Sequence, residues 1–330
     1  MQIWKIDPTD SDLASAPEFA DAIEHLRAGR LVAIPTETVY GLAADATNGA
    51  AVAAIYAAKE RPRFNPLICH VDSLATAETH GHFSDAARAL ANTFWPGPLT
   101  MVLPRRATSP VADLATAGLD TIALRVPASP IVHALSRALG APLAAPSANR
   151  SGRISATSAE AAVAELGERI AMVIDAGPCP VGVESTIVAV NDEMPRLLRP
   201  GGIARAEIEA VLGKPLAGIA ATDDERPTAP GMLSSHYAPN ASVRLGATEV
   251  EGDEALLAFG PAPVKGAESC VAVINLSPAS DLSEAAQGLF SALRTLDESG
   301  ARGIAVMAIP DTGLGEAIND RLRRAAAPRP

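Results

Sequence analysis

Between residues 31 and 71 the chain reads LVAIPTETVYGLAAD, a helix-compatible stretch, then AAKERPRFNPLICHV. The apolar run Leu31 to Ile34 breaks at Pro35 into Thr36-Glu37-Thr38; further on, Lys59, Arg61 and Arg63 fall within five positions and are closed off by Asn65-Pro66. Hydroxyls at a strand end followed by a cluster of cations suit a phosphorylated or carboxylated ligand. Arg125 interrupts the apolar Ile122-Ala-Leu-Arg-Val126. An inward guanidinium there needs a bidentate carboxylate or phosphate, supplied by a ligand or by the protein itself. Ser147-Ala148-Asn149, Glu184-Ser185-Thr186 and Arg199 also sit where apolar runs end, and such turns are where α/β proteins keep their ligands. Taken singly, each has a plainer reading. Residues 59–63 fit a solvated basic turn, Ser147 and Asn149 an ordinary turn, His70 a satisfied core or edge histidine, and Tyr40 and Trp95 packing. Glu37 and Glu184 have the chemistry of acid-base carboxylates, but nothing in sequence shows that they pair. There is no Ser-His-Asp or Cys-His order and no multi-histidine metal spacing. Cations and hydroxyls without a nucleophile point to group transfer by positioning and charge stabilisation.

The elements that must hold these residues follow from local pattern. Helical spacing from Glu18 to Arg27 stops at Gly29, and Leu31 to Ile34 predicts a buried strand. Asn48 and Ser84 are N-caps for helices through Ala58 and Asn92. Leu67 to Val71, Leu99 to Leu103, Thr121 to Val126, Leu143 to Ala145, Met172 to Ile174 and Glu184 to Val190 read as strands, with helices over 131–139 and 158–166 among them. Short strands and helices of irregular spacing predict α/β without a clean doubly wound alternation. Neither a P-loop nor a GxGxxG cradle occurs. Composition turns linker-like between about Ala204 and Asn240. Beyond it, strands at 242–245, 256–259, 271–276 and 304–309 with helices at 282–296 and 314–326 predict a small Rossmann-like unit carrying no visible chemistry.

The 330 residues suggest two domains, and 48% hydrophobic with 20% charged residues is ample for a core. Net charge is −11: 19 basic and 26 acidic residues up to residue 240, then 8 and 12. Neither part has the basic excess of a nucleic-acid module, so a cationic site must be local. Three scattered cysteines give no metal spacing or disulfide framework, and no signal-peptide or membrane-span pattern is present, so a soluble cytoplasmic protein is expected.

In order, PTETVYGLAAD, KERPRFNPLICHV, FWPGPLT, TIALRVP, APSANRSG, ESTIV and LLRPGGI resemble the YrdC family, densely over about residues 15 to 202. The later HYAP and the α/β tail resemble the long, two-domain form of that family. This resemblance implies a YrdC-like twisted open α/β catalytic domain at 1–203, a linker or lid over the active site at 204–240, and a C-terminal Rossmann-like domain at 241–330. It implies a nucleotidyltransferase forming L-threonylcarbamoyl-adenylate and pyrophosphate from L-threonine, bicarbonate (or CO2) and ATP with Mg2+. The product would pass to the tRNA threonylcarbamoyl transferase machinery. By motif position, Thr36, His70, Arg125, Ala145 and Ser185 become the threonine pocket. Lys59, Arg61, Asn65, Thr121, Ser147, Asn149 and Arg199 become the ATP side, with Arg63 as electrostatic support and His236 and Tyr237 as lid contacts. Lys59, Arg61 and Arg125 carry the catalytic role. Ser234-Ser235 departs from the aromatic and basic pair the family commonly has there. Two other readings remain: an RNA-binding YrdC-type module, which the acidic balance disfavours, and the carbamoyl-adenylate chemistry of hydrogenase-maturation carbamoyltransferases, whose zinc-finger CxxC does not occur.

Overall fold

Val32 and Ile34 face one way and Ala33 the other, as strand alternation requires, and the two sets enter different cores. The computed structural model describes residues 1–7, 13–190, 194–218 and 236–328. Its first unit runs β1 (Gln2–Lys5), α1 (Pro17–Arg27), β2 (Val32–Ile34), β3 (Gly41–Asp45), α2 (Gly49–Lys59), β4 (Ile68–His70), α3 (Leu74–Glu78), α4 (Asp85–Phe94), β5 (Leu99–Pro104), β6 (Thr121–Arg125), α5 (Pro130–Leu139), β7 (Leu143–Ala144), α6 (Ala159–Leu166), β8 (Met172–Asp175), β9 (Thr186–Ala189), β10 (Arg196–Arg199) and α7 (Arg205–Leu212). The strands form one mixed sheet in the order β1-β8-β2-β3-β7-β4-β6-β5-β9-β10. Asn48 and Ser84 cap α2 and α4 as expected.

One face of this sheet is covered along most of its length. Leu42, Cys69, Met101, Leu124 and Val188 pack there under α2, α4 and α6. On the other face, α1 and α5 cover only the β1 to β7 half, through Phe19, Ile23, Ile131 and Leu135. Among the described residues, that face beyond β7 carries the small apolar cluster Ile68, Val102, Ala123, Ile187 and Leu198. Where the helical layer stops, a concave floor is left.

The second unit is a parallel sheet, β11 (Ser242–Leu245), β14 (Gly303–Val306), β12 (Glu254–Ala258) and β13 (Val273–Asn275) in that order, with α8 (Leu282–Glu298) and α9 (Gly315–Ala326). The expected small α/β unit is present. Its core does not stop at its own boundary: Val39, Ile154, Val183 and Tyr237 pack with Leu289, Phe290 and Leu293.

Several elements escape the sequence pattern. β3 is alanine-rich, with little intrinsic strand preference, and forms because β2 and β7 flank it in full burial. β1 is an edge strand with one buried residue, Trp4. Within the stretch of linker-like composition, α7 packs against α4 and its Arg205 bonds Glu316 of α9 at 2.6 Å. Residues 219–235, including Ser234-Ser235, lie outside the described residues.

Gly182 fixes how closely the two units meet. Its φ is +75°, and a Cβ there would lie 2.4 Å from Gln287 Cα and 2.6 Å from the Ala286 carbonyl of α8. Gly182→Ala is expected to lower unfolding free energy by about 2–4 kcal/mol in urea titration, combining backbone strain with overpacking. Gly213→Ala, where φ is +64° and nothing lies within 4 Å, should lose only about 1 kcal/mol.

Candidate active site

The concave floor carries the polar residues singled out in the sequence. His70 follows Ile68 on the same face of β4 and pairs in register with Arg125 of β6, which shares a face with Ala123. Ser185 enters β9 two residues before Ile187. Arg199 reaches the same face through a β-bulge: the register shifts between Leu197 and Arg199, so Arg199 stands opposite Ile187 instead of turning away. From above come the β2-β3 turn and the loop after β7. The resulting cavity is lined by Thr36, Thr38, Arg61, His70, Arg125, Ala145, Ser147, Glu184, Ser185, Arg199, His236 and Tyr237, among others.

Each polar group has a definite set of partners. Arg125 is buried; its Nη2 donates to Glu37 Oε1 at 2.7 Å, Nη1 to Thr38 Oγ1 at 3.0 Å and Nε to the Gly97 carbonyl at 3.2 Å. Its carboxylate partner here is therefore the protein's own Glu37, and one N–H on each Nη stays available. The Thr36 hydroxyl donates to the Val39 carbonyl at 2.6 Å and accepts the Thr38 and Val39 amides, so it shapes its own turn. Ser185 Oγ bonds Thr100 Oγ1 at 2.7 Å and accepts from Arg199 Nη2 at 3.2 Å. His70 is neutral at neutral pH, because burial and then the Arg125 charge hold its pKa down to about 3.

Lys59 ends α2 with its side chain fully enclosed. Its ammonium donates to the Ser147 carbonyl at 2.6 Å and to the Asn149 carbonyl, so it ties down the turn instead of lining the cavity. Burial, followed by the nearby Arg61 charge, lowers the Lys59 pKa well below its ordinary value. Arg61 does line the cavity; it donates to the Asn65 and Pro66 carbonyls, and burial draws its pKa down to about 10. Asn149 donates to the Arg150 and Arg153 carbonyls. The Asn65 amide is buried with neither atom hydrogen-bonded.

Besides Lys59 and Asn149, which hold the turn from behind, three expected residues stand apart from the lining. Thr121 shares the Arg125 face of β6 but lies four residues earlier, about 13 Å along the strand. Asn65 adjoins Arg61 behind the wall, and Arg63 is exposed. Conversely, several contributors were not singled out as a set. Thr38 links Thr36 to Arg125, and Ser155 donates to Glu184 Oε1 at 2.6 Å. Glu37 and Glu184 do not pair with each other; each takes an arginine, Arg125 and Arg321 respectively. Arg321 comes from α9, in the unit where the sequence shows no chemistry, and it reaches Glu184 of the cavity wall. An arginine within the charged run Asp320-Arg-Leu-Arg-Arg324 gives no signal of a partner far away in sequence. His236 and Tyr237 close the cavity from the same side, and the Tyr237 ring lies 5.4 Å from Phe290. Burial holds the His236 pKa down to about 3. Among the described residues no group of three or more His, Cys, Asp or Glu is placed to hold a metal.

Comparison with known proteins finds relatives along the whole chain. A family model for Sua5, YciO and YrdC, described as telomere recombination, matches residues 24–201. A second, the threonylcarbamoyl-AMP synthase C-terminal domain, matches residues 203–327. The threonylcarbamoyl-AMP synthase of Bacillus subtilis is 41% identical, over 99% of this chain and 98% of its own length. That of Pyrococcus abyssi is 40% identical over 92% of both chains. The crystal structure of P. abyssi Sua5 complexed with L-threonine superposes with a TM-score of 0.88 and 35% identity, over 99% of this chain and 98% of that one. Matched by family models along nearly its whole length and by full-length relatives, the chain belongs to the Sua5/YrdC family in its two-domain form.

Proposed function

We propose that this chain is an L-threonylcarbamoyl-adenylate synthase, a nucleotidyltransferase that makes threonylcarbamoyl-AMP and pyrophosphate from L-threonine, bicarbonate (or CO2) and ATP. The observation that carries it is one cavity where Arg61, Arg125 and Arg199 meet His70, Ser147 and Ser185, in a chain aligned end to end with relatives named for this activity. Threonine's free amine adds to CO2 with loss of a proton, or to bicarbonate with loss of water, giving a carbamate; a carbamate oxygen then attacks the α-phosphorus while pyrophosphate leaves. Holding such anionic pieces in line is work for fixed cations and hydrogen-bond donors.

In this reading threonine sits by Thr36, His70, Arg125, Ala145 and Ser185. The two unbonded Nη hydrogens of Arg125 meet its carboxylate, and neutral His70 offers a ring nitrogen without adding charge. ATP takes the side of Arg61, Ser147, Arg199, His236 and Tyr237, with Lys59 and Asn149 holding the Ser147 turn and Arg63 lending charge from the rim. The buried, unbonded Asn65 amide supports a place for it beside the nucleotide. Thr121 belongs to this side only if the nucleotide extends past the cavity lining. Magnesium enters as part of the ATP substrate, and no step is assigned to it. The product serves the N6-threonylcarbamoyladenosine modification of tRNA in the cytoplasm through a transferase that accepts the adenylate; no helix among the described residues is long and apolar enough to cross a membrane.

The test is to supply ATP, magnesium, bicarbonate and L-threonine to the purified protein and measure pyrophosphate and the adenylate. Release that does not depend on threonine would contradict the assignment. Arg125→Ala should lose about 2–5 kcal/mol of transition-state stabilisation in threonine-dependent kcat/KM. Part of any loss would come from leaving Glu37 uncompensated, so Arg125→Ala with Glu37→Gln is measured beside it and should stay equally inactive. Lys59→Ala should raise the KM for ATP by about tenfold, the effect of one or two lost charge-assisted bonds, with a smaller change for threonine. The reverse pattern would overturn the division of the pocket.

A further inference from the structure

Arg321 is the largest fully buried side chain in the described molecule, and it comes from the second unit. Its Nε donates to Glu184 Oε2 at 2.8 Å and its Nη1 to Asp320 Oδ2 at 2.6 Å. The guanidinium carbon lies 5.2 Å from the centre of the Tyr237 ring, within cation–π range. Glu184 lines the cavity, and its other oxygen accepts the Ser155 hydroxyl. Asp320 is bonded in turn by Arg324, whose carbonyl accepts the His236 amide at 3.2 Å. A carboxylate in the wall of a cavity that must take a triphosphate would repel it unless a fixed cation cancels its charge.

We propose that Arg321 is a positioning residue for the ATP side: it cancels the charge of Glu184 in the cavity wall and backs the Tyr237 ring that closes the cavity. The proposal rests on the reading given under Proposed function and extends it to the second unit. Burial alone would push the Glu184 carboxyl up, yet the charges of Arg321 and Arg199, with the Ser155 and Arg321 hydrogen bonds, hold its pKa at about 2. Glu184 is therefore ionised throughout the neutral range, and its charge has to be met by a neighbour. Gly201 holds that wall in place. A Cβ at Gly201 would lie 2.3 Å from the Glu184 carbonyl and 2.4 Å from Thr186 N, so only glycine permits this close approach, and the adjoining Gly202 amide donates to the Glu184 carbonyl at 3.0 Å.

The test uses the full-length chain, with pyrophosphate release measured as ATP and threonine are varied separately. Threonine-dependent release by the unaltered protein is the first requirement; without it the functional assignment fails, whatever Arg321 does. Given that release, Arg321→Met should raise the KM for ATP at least about tenfold and that for threonine less than about threefold. Adding Glu184→Gln to Arg321→Met should bring the KM for ATP back to within about threefold of the original, because the uncancelled charge is gone. An unchanged KM for ATP in Arg321→Met, or a double variant no better than the single one, overturns the proposal. Should Arg321→Met lose its circular dichroism signature, Glu184→Gln alone decides: with the Glu184 charge removed, Arg321 has nothing to cancel there, so the KM for ATP stays within about threefold, and a tenfold rise in that folded variant refutes the charge argument.

Discussion

Lys59, Arg61, Arg125 and Arg199 are all buried in or beside one small cavity, where like charges repel and water is too scarce to screen them. Only fixed partners can keep such a cluster in place. The carbonyls of Ser147 and Asn149 take Lys59, those of Asn65 and Pro66 take Arg61, Glu37 takes Arg125, and the Ser185 carbonyl takes Arg199. The segments carrying Ser147, Asn65 and Ser185 are therefore each tied through their carbonyls to the cation they hold. Under the proposed function, anionic reactants would meet cations already held in place.

The sheet explains why this cluster forms where it does. Helices cover one face of the sheet along most of its length and the opposite face over one half only, and the cations gather on the uncovered half. Strand alternation puts His70 and Arg125 there without special devices. Arg199 needs the bulge in β10, and the Glu184-Ser185 wall needs Gly201 against its backbone. The second unit backs the wall through Arg321, and its apolar core runs on into Val39, Ile154, Val183 and Tyr237.

Much of this was legible in the sequence. An arginine in an apolar strand announces that it must find an anion, and Arg125 has one; the sequence left open whether a ligand or the protein supplied it, and here Glu37 does. Asn48 and Ser84 as caps, β4 to β6, and the strands and helices of the second unit follow from patterns a few residues long, which local physics decides. β3 was not legible because alanines become a strand only when neighbours bury them. The Thr36 hydroxyl reads as a ligand contact but closes its own turn, which depends on backbone angles that spacing does not encode. Arg321 and Ser155 meet at Glu184 from distant parts of the chain; nothing local marks either.

The most direct test of convergence on one cavity is a crystal structure with L-threonine and a non-hydrolysable ATP analogue bound. The account predicts the amino acid against His70, Arg125 and Ser185, with the phosphates against Arg61, Ser147 and Arg199 and Tyr237 closing over them. Either ligand seated elsewhere, for instance in the groove between Pro35, Pro130 and Pro180, would contradict it.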